Sequence, residues 1–208
     1  MTQKDPLRIA IVSDAYYPHI SGVARTIEAT KRELEKKGHE VLVIAPRDFK
    51  FKISAPTYPE VKLVPFAYKR LAQLLDAFQP DSIHISVEGP LGMSAKKYAK
   101  KRNLHFTTAY HTRFPEYVKV HMGIPVSWTY AVIRRFHNSG QGIMVAAESL
   151  KQELETWGFK NLVYWPRGVD AELFNPGNPM ELPGEKPIFM YMGRVAPEKN
   201  IEAFLSLQ

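Results

Sequence analysis

Short apolar runs alternate with amphipathic stretches along the chain. In the first half the apolar runs are "LRIAIVSD" (7–14), "VLVIAP" (41–46), "VKLVPF" (61–66), "DSIHISV" (81–87) and "LHFTTAYH" (104–111). Strands of a parallel sheet have this composition because helices bury them on both faces. The pattern therefore predicts an α/β fold in which a Rossmann-like parallel sheet has helices on both faces.

The polar stretches between these runs have helical periodicity. After the first run, Val23, Ile27, Thr30 and Leu34 fall on one helical face, and Gly38 stands where a left-handed cap ends a helix. Further helices are predicted at 67–78 and 91–102, and residues 115–139 are predicted to be helical. Two more strands, "GIMVAAE" (142–148) and "NLVYWPRG" (161–168), flank a helix at 149–158.

The composition changes at residues 176–187, "PGNPMELPGEKP". Four prolines and two glycines in this stretch exclude a helix or a central strand, so we predict a linker. It would separate a first domain (1–175) from the beginning of a second one (188–208). There, "IFMYMGR" (188–194) is expected as a first strand and "PEKNIEAFLSLQ" (197–208) as a first helix, in a domain that is incomplete at Gln208.

The chain has no cysteine, which excludes disulfides and thiolate metal sites, and 28 basic against 21 acidic residues favour anionic partners. The densest basic run, "AKKYAKKRN" (95–103), has two interpretations: a solvated helix face, or a surface for an anionic membrane or phosphate. Nucleic acid is not expected as a partner, because aromatic residues are not interleaved with the basic ones. With no signal peptide or spanning segment in view, we expect a cytoplasmic protein, either free or peripheral on the inner face of the membrane.

Ligands of open parallel sheets bind at the carboxyl ends of the strands, so the residues that follow each apolar run are the site candidates. They are Asp14, Tyr16, Glu88, His111 and Arg113, together with Gly22, which opens a helix. Gly22 is open to two interpretations, a plain tight turn or a helix start that faces an anion or sugar hydroxyls. His111 is likewise either a structural donor or a group in a binding cleft. A single glycine is not the GxGxxG fingerprint, so an NAD site is not favoured, and no motif predicts a metal.

Five segments in order carry a family resemblance: "SDAYYPHISGV", "GHEVLVIAP", "AYHTRFPEY", "GVDAELFNP" and "MGRVAPEKNIEAFL". They resemble the family-four glycosyltransferases, which are retaining enzymes of the GT-B fold. In that family an amino-terminal Rossmann-like domain receives the acceptor and a carboxyl-terminal one holds a nucleotide sugar. The resemblance implies that the first domain here is the acceptor side, and that "MGRVAPEKN" enters the donor side.

The resemblance also implies roles for particular residues. Arg194 and Lys199 match the pair that grips the donor diphosphate, where fixed positive charge acts in place of a metal. Gly22 matches the glycine-rich first loop, although Ser21 stands where a second glycine is common. His111 matches the histidine near the donor sugar and the reaction centre. No cofactor is implied, since the nucleotide diphosphate sugar is a substrate.

Two functions remain open from the sequence. The first is metal-independent transfer of a hexose, with retention, from a nucleotide diphosphate sugar to an acceptor. The segments "YHTRFPEYV" and "YWPRGVD" look closest to enzymes that glycosylate lipids or transfer mannose, so a membrane lipid is the expected acceptor. The second is a non-catalytic acceptor-binding module, since the paired glutamates of the family's donor domain have no counterpart here.

Overall fold

The structure of the protein is a computed structural model that describes residues 5–55, 61–175, 177, 187–193, 195 and 200–206. The chain divides into two compact units, Met1–Arg167 and Gly168–Gln208. Within the described residues, every strand lies in the first unit, and the second unit contributes one short helix. The predicted linker at 176–187 lies outside this description except for Gly177 and Pro187, so the domain boundaries remain predictions.

The first unit is built on a parallel sheet. The strands of the described residues are β1 (Arg8–Val12), β2 (Glu40–Ile44), β3 (Ile53–Ser54), β4 (Lys62–Leu63), β5 (Ser82–Ile85), β6 (Phe106–Tyr110), β7 (Gly142–Val145) and β8 (Leu162–Tyr164). Six of them form the sheet in the order β2-β1-β5-β6-β7-β8, and all of these pairs are parallel. This confirms the predicted Rossmann-like α/β class. The chain winds to opposite sides from β1, which makes the β1–β5 boundary a topological switch point.

Helices connect these strands close to the predicted positions. They are α1 (Gly22–Lys36), α2 (Tyr68–Phe78), α3 (Pro90–Lys101), α4 (Phe114–Met122), α5 (Val126–His137), α6 (Glu148–Thr156) and, in the second unit, α7 (Ile201–Leu205). Gly38 adopts φ +87° just after α1, in agreement with the predicted left-handed cap. The predicted helical stretch at 115–139 is two helices, because Gly123 ends α4 at φ +68° and Pro125 precedes α5.

Both faces of the sheet are covered, as the apolar runs predicted. Alternate residues of β1 point to opposite sides: Ala10 and Val12 join a core with α2 and α3, whereas Ile11 joins a core with α1. At the far strands, Ile143 and Val145 of β7 pack with α5 and α6. Fully burying a large apolar side chain contributes roughly 1.5 to 3 kcal/mol, so these contacts hold the strand ends in place.

Two strand predictions are corrected by the structure. The run at 61–66 does not join the parallel sheet: only Lys62–Leu63 is a strand, and it pairs antiparallel with β3 in a separate two-stranded sheet. Pro65 comes two residues after Leu63 and has no N–H to donate to a longer ladder. The described part of the run at 188–194, residues 188–193, is assigned to no strand. A strand is defined by a ladder of backbone hydrogen bonds to a second strand, and residues 188–193 belong to neither sheet of the described chain.

Candidate functional site

Three predicted site residues lie at one edge of the parallel sheet. Asp14 follows β1, Glu88 follows β5 and His111 follows β6. β5 pairs with both β1 and β6, so these residues leave three neighbouring strands at their carboxyl ends. The structure therefore brings the three side chains to the edge where open α/β sheets bind their ligands.

Asp14 is only 6% exposed and caps the first turn of α3. Its Oδ1 accepts from the Leu91 N–H at 3.1 Å and its Oδ2 from the Gly92 N–H at 3.3 Å. Gly89 permits the close approach of Asp14, because a Cβ there would lie 2.4 Å from the carboxylate. Gly92 permits the first turn of α3 to pack on the preceding loop, because a Cβ there would lie 2.0 Å from the Val87 carbonyl oxygen. Burial raises the pKa of Asp14 to about 6, against the opposing effect of the two N–H donors. Asp14 thus ties the loop after β1 to the helix after β5.

Glu88 is held by a histidine that the sequence did not indicate. The His137 ring is fully buried, with Nε2 2.7 Å from the Glu88 Oε1 and Nδ1 2.8 Å from the Thr108 Oγ1. The Glu88 side chain is 18% exposed, so it is not fully buried at this edge of the sheet. His137 lies on the apolar face of α5 with Ile133, and helical periodicity alone assigns that position to the core.

His111 is partly buried and bonded through one ring nitrogen only. Its Nδ1 accepts a hydrogen bond from Nη2 of Arg167 at 2.7 Å. Its Nε2 is buried, and among the described residues it has no hydrogen-bond partner. Burial, followed by the positive charge of Arg167, lowers the pKa of His111 to about 3. The ring is therefore a neutral imidazole across the physiological range.

Trp165 lies beside two histidine rings. The centroid of its ring is 6.5 Å from that of His111 and 6.5 Å from that of His84. The Nδ1 of His84 bonds Oγ1 of Thr107 at 2.9 Å, and burial lowers the pKa of His84 to about 4. Trp165 therefore places an uncharged aromatic ring beside each of the two histidines.

Two other candidates have partners within the protein. Tyr16 is buried and its hydroxyl donates to Glu28, and burial followed by this bond raises its pKa to about 12. Arg113 forms a bidentate ion pair with Glu153, with nitrogen–oxygen distances of 3.1 and 2.6 Å. Whether Tyr16 and Arg113 also contact a ligand remains a prediction.

The candidates for the donor are only partly within the described chain. Gly22 is exposed at the first position of α1, where the Ser21 side chain caps the helix by accepting from the Ala24 N–H at 3.1 Å. A Cβ on Gly22 would meet nothing within 4 Å, so the protein itself does not require a glycine there. Arg194 and Lys199 lie outside the described residues.

The basic helix α3 uses some of its charges internally. The Lys96 ammonium donates to the carbonyl oxygens of Arg135 and Phe136, at 3.1 and 3.3 Å, at the end of α5. Burial lowers the pKa of Lys96 to about 8, and nearby positive charges act in the same direction. Arg102 is paired with Asp76 at 2.8 Å. Only part of the basic run is therefore available to an external partner.

In the part of the chain that the structure describes, no group of three or more histidine, aspartate or glutamate side chains is arranged to bind a metal ion. Among those same residues, no helix is both long enough and apolar enough to cross a membrane.

Comparison with known proteins identifies the family to which the chain belongs. Residues 20–173 match the model of Glycosyltransferase Family 4. A GDP-mannose-dependent alpha-mannosyltransferase of Mycobacterium tuberculosis is 26% identical over 97% of this chain and 59% of that protein, and one of Corynebacterium glutamicum is 28% identical over 97% and 54%. An alpha-monoglucosyldiacylglycerol synthase of Streptococcus pneumoniae is 29% identical over 96% of this chain and 51% of that protein. The chain thus spans somewhat more than half the length of these relatives.

Proposed function

We propose that this chain, which belongs to glycosyltransferase family 4, supplies the acceptor side of an enzyme that transfers a hexose from a nucleotide diphosphate sugar, without a metal. The match over residues 20–173 establishes the family, and the names of the relatives include GDP-mannose-dependent transferases. In the proposed reaction the bond from the sugar to the diphosphate breaks and a bond to an acceptor hydroxyl forms with retention. The acceptor's proton leaves with the diphosphate.

The geometry of His111 is the observation that carries this proposal. A neutral imidazole whose Nδ1 is occupied offers an N–H donor at Nε2, and that atom has no partner in the described protein. An unpaired buried donor costs about 1 to 3 kcal/mol, which is recovered when an oxygen acceptor reaches it. We assign that acceptor as an oxygen of the donor sugar, where the bond would orient the sugar at the reaction centre.

A lipid is the acceptor class that we propose. One relative carries the name alpha-monoglucosyldiacylglycerol synthase, so a family member of similar sequence is named for a lipid product. A lipid acceptor lies in a membrane, and a protein that uses it must approach the bilayer surface. We therefore propose that the protein binds peripherally to an anionic membrane.

An aromatic–basic surface, formed by Phe51, Phe66, Tyr68, Lys97 and Lys101, supports this membrane association. Phe51 and Phe66 are 57% and 82% exposed, and their ring centroids are 6.0 Å apart. Tyr68, two residues after Phe66, begins α2, and the ammonium groups of Lys97 and Lys101 lie 4.9 and 5.4 Å from its ring centroid. Exposed phenylalanines can enter the boundary of the acyl chains while lysines contact anionic head groups.

Vesicle binding tests the membrane proposal. Sedimentation with vesicles of phosphatidylglycerol and phosphatidylcholine should show at least about tenfold weaker binding for Phe51→Ser/Phe66→Ser. Lys97→Glu/Lys101→Glu should weaken binding mainly at low salt, because screening already removes the attraction at high salt. Lys160→Glu, another exposed lysine, is the charge control. Unchanged binding of both double variants would refute the membrane role of this surface.

Turnover tests the transferase proposal. The coding sequence should be read past codon 208, and the encoded protein should be incubated with labelled GDP-mannose or UDP-glucose and a membrane lipid extract. His111→Ala should lower turnover by at least about tenfold, which corresponds to about 1.4 kcal/mol of transition-state stabilisation. His105→Ala, an exposed histidine that precedes β6, is the control. Absence of transfer to any lipid would favour the non-catalytic acceptor-binding module.

A further inference from the structure

The contact between Arg167 and His111 defines which ring nitrogen of the histidine carries the proton. Nη2 of Arg167 lies 2.7 Å from Nδ1 of His111. A guanidinium group has donors and no acceptor, so Nδ1 must provide the lone pair. A neutral imidazole with a free lone pair on Nδ1 has its hydrogen on Nε2. The contact is therefore compatible with one neutral tautomer and incompatible with the imidazolium ion.

The groups around His111 also disfavour its protonated form. Among the residues that the structure describes, the charged or titratable groups that shift the pKa of His111 are Arg167, His84 and His137, and no carboxylate is among them. A positive guanidinium beside a partly buried ring disfavours a second positive charge. The Trp165 ring lies 6.5 Å from the His111 ring and follows β8 directly, two residues before Arg167. The strand thus places both neighbours of the imidazole.

We propose that Arg167 is a positioning residue that fixes His111 in the Nε2–H tautomer, so that the ring acts as a hydrogen-bond donor. Nε2 then cannot accept a proton, which excludes His111 as a general base at that atom. The role in transfer rests on the proposed function, whereas the tautomer is a property of this chain alone. Arg167 lies in the segment "WPRGVD", 56 residues after His111.

Nitrogen-15 NMR of histidine-labelled protein tests the tautomer without any assay of activity. The protein has seven histidines, and His111→Gln identifies the signals of His111 by difference. We expect its Nδ1 signal at the unprotonated position and its Nε2 signal at the protonated position, unchanged from pH 5 to pH 8. An Nδ1–H tautomer, or protonation of His111 within that range, would overturn the proposal.

Two substitutions of Arg167 separate its hydrogen bond from a general structural role. Arg167→Gln retains an N–H donor and should keep the Nε2–H tautomer. Arg167→Glu places an acceptor beside Nδ1 and should convert His111 to the Nδ1–H form with a raised pKa. The spectra of the other histidines show whether each variant is folded. Retention of the Nε2–H tautomer in Arg167→Glu would refute the positioning role, whatever the outcome of the transfer assay.

Discussion

Replacing Asp14 by asparagine is expected to change how the stability of the first unit depends on pH. Burial raises the pKa of Asp14 from its ordinary 3.8 to about 6. Between these values the folded protein keeps a proton that the unfolded chain has released, so the free energy of unfolding falls as the pH rises. At 1.36 kcal/mol per pKa unit, the loss is about 3 kcal/mol, complete above pH 6. Asparagine is never ionised, so Asp14→Asn should lack this loss.

Urea unfolding from pH 4 to pH 7.5 measures the effect, with tryptophan fluorescence as the signal. The three tryptophans of the chain lie in the first unit, which also contains Asp14. The free energy of unfolding of the variant minus that of the wild type should increase by about 2 to 3 kcal/mol across the range, since a small part of the loss occurs below pH 4. Asp81→Asn is the control, since Asp81 is exposed and also accepts a backbone N–H, from Arg8 at 2.7 Å.

The direction in which this difference in unfolding free energy changes with pH shows which of two opposing effects on the pKa of Asp14 is larger. Removal from water raises the pKa, whereas the N–H groups of Leu91 and Gly92 at the start of α3 lower it. A difference between variant and wild type that stays constant with pH would show that the two effects cancel. A difference that decreases as the pH rises would show that the helix start outweighs burial, and it would refute the reasoning.

Thermal unfolding checks two further predictions about the described fold. Gly92→Ala should destabilise the protein by at least about 2 kcal/mol, because the new Cβ would lie 2.0 Å from the Val87 carbonyl oxygen. Gly22→Ala adds a Cβ in open space, so it should be neutral or should stabilise the protein by up to about 1 kcal/mol. Equal midpoints for the two variants would contradict this. Lys96→Met should lower the free energy of unfolding by about 1 kcal/mol, because it removes the hydrogen bonds to the end of α5. Lys97→Met should lower it by less than about 0.5 kcal/mol. A larger loss from Lys97→Met than from Lys96→Met would be the contrary result.

Local pattern was sufficient for most of the helices and strands. Apolar runs bounded by turn residues indicated all six strands of the parallel sheet, because burial on two faces requires continuous apolar sequence. It failed at residues 61–66, where the pairing partner is the short β3 and not the main sheet. An apolar run indicates that a strand will be buried, but it does not specify which neighbour supplies the hydrogen bonds.

The positions of Asp14, Glu88 and His111 followed from the sequence for a simple reason. Parallel strands end at a common edge, so a residue that follows an apolar run is assigned to that edge before any contact is known. Which element holds each of them does not follow from local sequence. Their partners are distant along the chain: Leu91 is 77 residues from Asp14, His137 is 49 from Glu88, and Arg167 is 56 from His111.

Those partners decide the chemistry of each group. Asp14 has a raised pKa because packing buries its carboxylate against α3, and His111 is neutral because folding buries its ring and places a guanidinium on its Nδ1. Periodicity describes which residues face the core, since it depends on neighbours a few positions away. Protonation and hydrogen bonding depend on burial and on charges within a few ångströms, and these exist only after helices and strands far apart in the chain have packed together.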